Sequence, residues 1–447
     1  MIFKVATLLL ILLCVSSRNN GVVASLPGEE EELQILKKSD NVKTIQLESG
    51  DIVDCVDIYK QPAFSHPSLK NHKIQVLPKS YLARREKQLQ ELRLKGKACP
   101  HGTVPIPRTT KQESVIARAL NPTTISAANN NSPPQVLPKS YLPRRKKQLQ
   151  ELRLKGKARP LETVPIPRTT KQESEMARAL NPSTVSAANN NGPPHLVFLS
   201  LEKFETLITY HGASGEVTVY NTSVNLNNKE MAQANIWMQS GPNDELNYII
   251  VGLGVGVSHN DINPRLFTFW SNNGGESGCY NLQCGFIQID SEIAPGHLFT
   301  HISKFDGRTV DVKIKIFQDK ATSNWLLSVL DEEIVVGYFP PKYFPYLKSG
   351  AQTVAWGGAA YIGNDGNSPP MGSGYLPDGI YNHAAYFRKL TYFDNQWVLR
   401  EPSTGTRLFH HSEKGHCYGF KNGTAQGQFW GSNFFFGGPG GQKCGKN

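Results

Sequence analysis

The chain has 447 residues, a formal net charge of +11 and 39% hydrophobic residues, which is enough for two or three units of ordinary domain size. The charge is uneven: residues 25–194 carry 28 Lys/Arg against 16 Asp/Glu, whereas residues 195–447 carry 18 against 21. A nucleic-acid binder needs a basic folded surface with stacking aromatics; the C-terminal half has no positive surplus, so no nucleic acid is expected as a partner.

The first element is MIFKVATLLLILLCVSS, with one lysine, a short apolar run and then small residues. That is the form of a secretory signal peptide, placed at residues 1–24 with Val22-Val23-Ala24 before the cut. No later apolar run approaches the roughly 20 residues of a spanning helix, so no membrane partner is expected. The expected location is secreted: extracellular, cell wall or vacuole. Six cysteines follow Cys14, and an even number in an exported chain reads as disulfides. Fifteen pairings of six cysteines are possible. Local grouping favours Cys55–Cys99, Cys279–Cys284 and Cys417–Cys444. No Cys-x-x-Cys pair suggests zinc. Sequons at Asn130, Asn221 and Asn422 suit the same compartment.

Residues 75–134 recur at 135–194 with ten differences, a tandem duplication or a duplicated exon. Each copy holds a polar, helix-favouring run (84–97, 144–157), a VPIPRTTKQES segment, and an Asn tract ending in Pro-Pro that reads as linker. Cys99 of the first copy is Arg159 in the second, so only the first can pair with Cys55. From His195 the texture changes to short β-branched and aromatic runs between Gly/Asn/Asp turns, without helical periodicity. Regular short strands of this kind predict one all-β domain over 195–447, an antiparallel β-sandwich, behind a mostly helical or irregular pro-region.

Within that domain, NYIIVGLGVGV (247–257) alternates two faces. Ile249, Val251, Leu253, Val255 and Val257 form a core ladder, and Tyr248, Ile250, Gly252, Gly254 and Gly256 form the other face. Glycine inside a strand often marks a close approach by another backbone, so this face is the candidate floor of a groove for an extended peptide. Trp237, Trp270, Trp356 and Trp430 are candidate flat surfaces for proline-rich peptide or cell-wall glycan. No cofactor fingerprint and no metal set is present: GLGVG lacks a third glycine and a following helix, and His410, His411 and His416 lack a carboxylate–histidine pattern.

Several stretches resemble the plant neprosin family: GCYNLQCGFIQ (278–288), SEIAPG (291–296), Trp-Gly-Gly at 356–358, MGSGYLPDG (371–379), YFRKL (386–390) and GGPGG (437–441). DIVDCVDIYKQPAFSHPSLKNHKIQ (51–75) and CPHGTVPI (99–106) resemble that family's activation peptide. The resemblance implies an activation peptide beginning in 25–74, with repeat copies at 75–134 and 135–194. It also implies a secreted zymogen whose β-sandwich is a glutamic endopeptidase cutting after proline, with disulfides matching Cys279–Cys284 and Cys417–Cys444.

Such chemistry needs one carboxylate as general base and a second carboxyl kept protonated to assist the scissile carbonyl. The family's first glutamate lies in Ile-Glu-Ala-Gly, which aligns with Ile249-Ile250-Val251-Gly252. Its second follows Trp-Gly-Gly and aligns with Ala359. Both positions are occupied by residues that cannot carry a proton. The expectation is therefore a catalytically impaired neprosin-like protein that keeps a groove at Gly252, Gly254, Gly256, Trp356, Gly357 and Gly358, with its own pro-region as a partner. The alternative is an active acid prolyl endopeptidase made as a zymogen, with Glu245, Glu292, Asp331-Glu332-Glu333 or Asp378 as substitute carboxylates.

Overall fold

In the computed structural model, described residues are 41–46, 51–77, 99–107 except His101, and 194–444 apart from 203–208, 243–244, 258–261, 273–276, 331–333, 403–407, 413–414 and 424–426. All of them belong to one compact unit, Asn41–Asn447. In chain order the strands are β1 Asn41–Gln46, β2 Ile52–Asp57, β3 Thr103–Pro107, β4 His195–Glu202, β5 Gly212–Thr218, β6 Met231–Ser240, β7 Asn247–Val255, β8 Arg265–Asn272, β9 Ser277–Tyr280 and β10 Ile287–Gln288. They continue with β11 Asp311–Gln318, β12 Trp325–Val329, β13 Ile334–Phe339, β14 Thr353–Tyr361, β15 Ala385–Phe393, β16 Leu399–Arg400, β17 Leu408–Ser412, β18 Gly419–Asn422 and β19 Phe434–Gly437.

Two antiparallel sheets face each other. One runs β17-β4-β14-β6-β7-β8-β9; the other runs β10-β13-β12-β11-β5-β15-β19-β18, with β16 paired to β15. The alternation of DVKIKIFQ shows how sequence selects the faces. In β11, Val312, Ile314 and Ile316 are buried and Lys313 and Lys315 lean outward, as a period of two requires. The inter-sheet core joins Val197, Ile236, Ile249, Val251 and Trp356 from the first sheet to Ile314, Leu327, Val336, Phe387 and Phe434 from the second.

The described part of the pro-region is not helical. IVDCVD and TVPIP form a three-stranded antiparallel sheet with β1, and short 3-10 turns at Pro62–Ser65 and Pro67–Leu69 lie between β2 and β3. The helix-favouring runs at 84–97 and 144–157 lie outside the described residues. All three locally grouped disulfides form, Cys55–Cys99, Cys279–Cys284 and Cys417–Cys444.

The pro-region is fastened to the sandwich by polar contacts. Gln61 pairs with edge strand β10 as a strand would: its Nε2 donates to the Gln288 carbonyl at 3.1 Å, and its Oε1 accepts from the Gln288 amide at 2.7 Å. An exposed sheet edge needs such cover. Asp51 forms a two-pronged ion pair with Arg265 at 2.8 and 3.0 Å. His72 meets the Tyr338 hydroxyl at 2.8 Å, and Ala63 and Leu69 join the inter-sheet core.

Candidate functional site

β7 is buried along its whole length. Its odd-numbered residues Ile249, Val251 and Leu253 enter the inter-sheet core, and its even-numbered residues face away from that core. There a second apolar cluster forms from Phe198, Trp237, Tyr248, Ile250, Phe267, Phe269, Ala355 and Ala359.

Register places the candidate positions in this cluster. Ala359 pairs with Gln233, and Gln233 with Gly254; Ala355 pairs with Trp237, and Trp237 with Ile250. Ile250 and Ala359 therefore share one sheet face, two strands apart and offset by four residues. Both are buried, at 2% and 0% exposure. Ala359 pairs with apolar Leu196 on one side and with Gln233 on the other, where uncharged polar groups meet. Asn235 Nδ2 donates to Gln233 Oε1 at 2.9 Å, and the Tyr361 hydroxyl donates to the same oxygen at 3.3 Å. Burial, and then the neighbouring Tyr248, push the Tyr361 phenol above its ordinary range, so it stays a neutral donor.

The glycines have a structural answer. A Cβ on Gly252 would lie 2.2 Å from the Ala234 carbonyl and 2.6 Å from Asn235 Oδ1, and one on Gly357 would lie 2.0 Å from the Val197 carbonyl. The neighbouring strands approach at these points, so Gly252 and Gly357 are required by the sheet itself. Gly256 adopts φ +75°, a left-handed turn conformation that glycine takes without steric cost.

Two groove candidates lie on the wrong face. Trp356 is fully buried in the inter-sheet core, where its indole donates to the Ser214 carbonyl at 3.1 Å. A Cβ on Gly358 would meet Met371 and Phe436 in the same core. Strand alternation explains both, since positions 356 and 358 differ in parity from 359. Trp237 and Trp270 are also buried, leaving Trp430 partly exposed.

The substitute carboxylates stand elsewhere. Glu245 is exposed and accepts from the Tyr346 hydroxyl. Glu292 is half-buried in the turn after Asp290, whose carboxylate accepts its amide. Asp378 is bound to His383, and residues 331–333 lie outside the described residues. His416 lies near Cys417 and Cys444, but those sulfurs are joined to each other and offer no thiolate. Asn221 is exposed and Asn422 half-buried; Asn130 lies outside the described residues.

Sequence reasoning missed the pro-region anchors. Arg265 is 2% exposed and also donates to the Gly296 carbonyl at 2.9 Å. Beside it, burial and then the Arg265 guanidinium push the His297 imidazole down to about 4, with Asp290 and Asp51 acting in the opposite direction.

A two-sheet antiparallel sandwich with a disulfide-stapled N-terminal module along its sheet edge defines a β-sandwich domain carrying its own pro-segment. Residues 228–439 match the family model described as Neprosin, and residues 44–140 match the Neprosin activation peptide. The chain belongs to the neprosin family.

Proposed function

We propose that the protein is a secreted neprosin-family zymogen form whose sandwich is related to glutamic endopeptidases cutting after proline but lacks their proton-transfer pair. Ile250 and Ala359 stand at the two glutamate positions. The observation that carries this reading is the apolar burial at both positions, with uncharged Gln233, Asn235 and Tyr361 as the polar groups beside Ala359. General acid–base catalysis needs titratable groups within hydrogen-bond reach of the reacting atoms. Neither an isoleucine nor an alanine meets that need. Binding of a proline-rich peptide along the sheet face that bears Ile250 then requires that this face, buried along the whole of β7, be uncovered first.

The test uses secreted protein incubated at acid pH with a proline-containing peptide, with fragments read by mass spectrometry. The wild-type chain and Ile250→Ala are expected to leave the peptide whole. Cleavage after proline that persists unchanged in Ile250→Ala would show that other carboxylates act and that the assignment of positions 250 and 359 is wrong. Proline-directed cleavage gained by the Ile250→Glu/Ala359→Glu double variant would place the glutamate pair directly.

A further inference from the structure

A cleft of about 410 Å³ opens between the loop ahead of β11 and the long connection from β14 to β15, lined by Phe305, Tyr375, Leu376, Asp378, His383 and Pro439. None of these residues belongs to the seven-stranded sheet. Its volume falls in the range of small-ligand sites, roughly 300–1,000 Å³. The aromatic side chains here contrast with those of the core. Phe305 is 41% and Tyr375 50% exposed, and their rings stack at 3.8 Å with His383 against Phe305 at 4.7 Å. Contiguous exposed apolar surface of this kind marks binding sites.

The cleft is pre-shaped. Gly372 and Gly374 take φ +62° and +85°. The Ser373 hydroxyl donates to the His383 carbonyl at 2.7 Å, and the Gly374 amide to the Met371 carbonyl at 3.1 Å. Thr222 ties the loop to the sandwich by donating to the Gly372 carbonyl at 2.8 Å. At one end His383 lies between two carboxylates, 2.7 Å from Asp378 and 3.5 Å from Asp306. The hydrogen bond to Asp378 raises the His383 pKa, so the imidazole is held toward its charged form and fixes both acids in place. The same loop exposes Ile380 and Tyr381, with Tyr381 edge-on to Trp430. Apolar surface therefore continues past the histidine, which gives length for a chain rather than a single ring.

We infer that this cleft binds a neutral, hydroxyl-rich oligosaccharide, with a sugar ring lying on Tyr375 and hydroxyls donating to Asp306 and Asp378. The donor and acceptor chemistry selects this class. The polar end of the cleft is rich in carboxylate oxygens, which only accept. A polyproline backbone lacks N–H groups and presents carbonyls, also acceptors. A polyuronate would meet two acids offset by the His383 imidazolium and by Lys421, whose ammonium donates to the Asp378 carbonyl, and oligogalacturonate tests that class directly. A polyol supplies donors, and the apolar face of its ring suits an exposed aromatic.

The experiment titrates the full-length secreted chain with cello-, xylo- and mannohexaose by calorimetry, beside a polyproline peptide and oligogalacturonate. The variants are Tyr375→Ala and Asp306→Asn, both at exposed positions, with thermal unfolding as a check of folding. Saturable binding of at least one neutral hexaose is expected, weakened about tenfold in Tyr375→Ala, a loss of about 1.4 kcal/mol, and also weakened in Asp306→Asn, with unchanged unfolding. The inference is overturned if no neutral hexaose binds or if binding is indifferent to Tyr375→Ala. It is equally overturned if the polyproline peptide is the ligand whose binding Tyr375→Ala removes.

Discussion

Replacing Asp51 by asparagine isolates what holds the pro-region to the sandwich. Arg265 is 2% and Asp51 12% exposed, and two parallel bonds of 2.8 and 3.0 Å join them. Breaking a buried pair from one side costs roughly 3–5 kcal/mol, because the other charge stays buried without compensation. Asparagine keeps one carbonyl acceptor, and Arg265 keeps the Gly296 carbonyl, so the lower end, about 3 kcal/mol, is expected. Arg265→Met should cost less, since Asp51 lies nearer solvent and can rehydrate. The double variant should fall well short of the sum, with a coupling of about 2 kcal/mol. Urea unfolding of the four proteins gives these values, and hydrogen exchange in β2 reports whether the pro-region opens first. An Asp51→Asn cost below about 0.5 kcal/mol, or additivity in the double variant, would refute the view that this pair anchors the segment.

Acidification should act on the same contact. Folding holds the His297 imidazole at about 4 against an ordinary 6.5, so the folded state favours the neutral ring. Stability is full above pH 6.5, falls as the unfolded chain takes up its proton, and levels off below pH 4, with a total of at most about 3 kcal/mol. Burial lowers His66 and His72 in the same direction, Lys342 adding to the effect at His72. Unfolding midpoints between pH 7 and pH 4 check this, and His297→Gln should flatten the slope. Cys417→Ala, which opens a disulfide spanning 27 residues, should cost about 3–4 kcal/mol. Opening the bridge that spans only 5 residues, Cys279–Cys284, should cost about 2 kcal/mol. Urea midpoints of the two variants give the comparison.

The sandwich was legible wherever alternation was strict, and the three disulfides were legible because each pair is local. DVKIKIFQ could be assigned to a half-buried strand without a structure. β7 was read only in part: its core ladder holds from Ile249 to Leu253, whereas Val255 packs with Val224 and Ala232 and Val257 joins the cluster of Ile250, and the opposite face is buried as well. Parity alone would have removed Trp356 and Gly358 from the groove, since they sit an odd number of positions from Ala359. The pro-region sheet and the Asp51–Arg265 pair were not legible. β2 and β3 are separated by the first copy's helix-favouring run, and Asp51 meets a partner 214 residues away. No periodicity encodes a contact of that kind. The cleft around Tyr375 was hidden for another reason: MGSGYLPDG reads as a turn, and only the fold brings Phe305 and His383 to it.

Polar groups are buried in two different ways in this molecule, and the difference bears on function. At the pro-region junction, Gln61 and Arg265 are buried and Asp51 half-buried, and each has its partner across the junction. Such groups are costly alone and tolerable only together, so the segment and the sandwich depend on each other. Removing the segment would uncover the Gln288 backbone at the sheet edge and take the Asp51 carboxylate away from Arg265. At positions 250 and 359 the chain has instead apolar side chains, which need no partner. A working carboxyl pair there would have to keep one acid protonated by burial, and unpartnered acids under such cover lower stability. The proposed loss of the pair therefore relaxes the sheet face while leaving the docking contacts intact. The expected consequence is that Ile250→Glu/Ala359→Glu unfolds at lower urea than the parent, even where it gains cleavage.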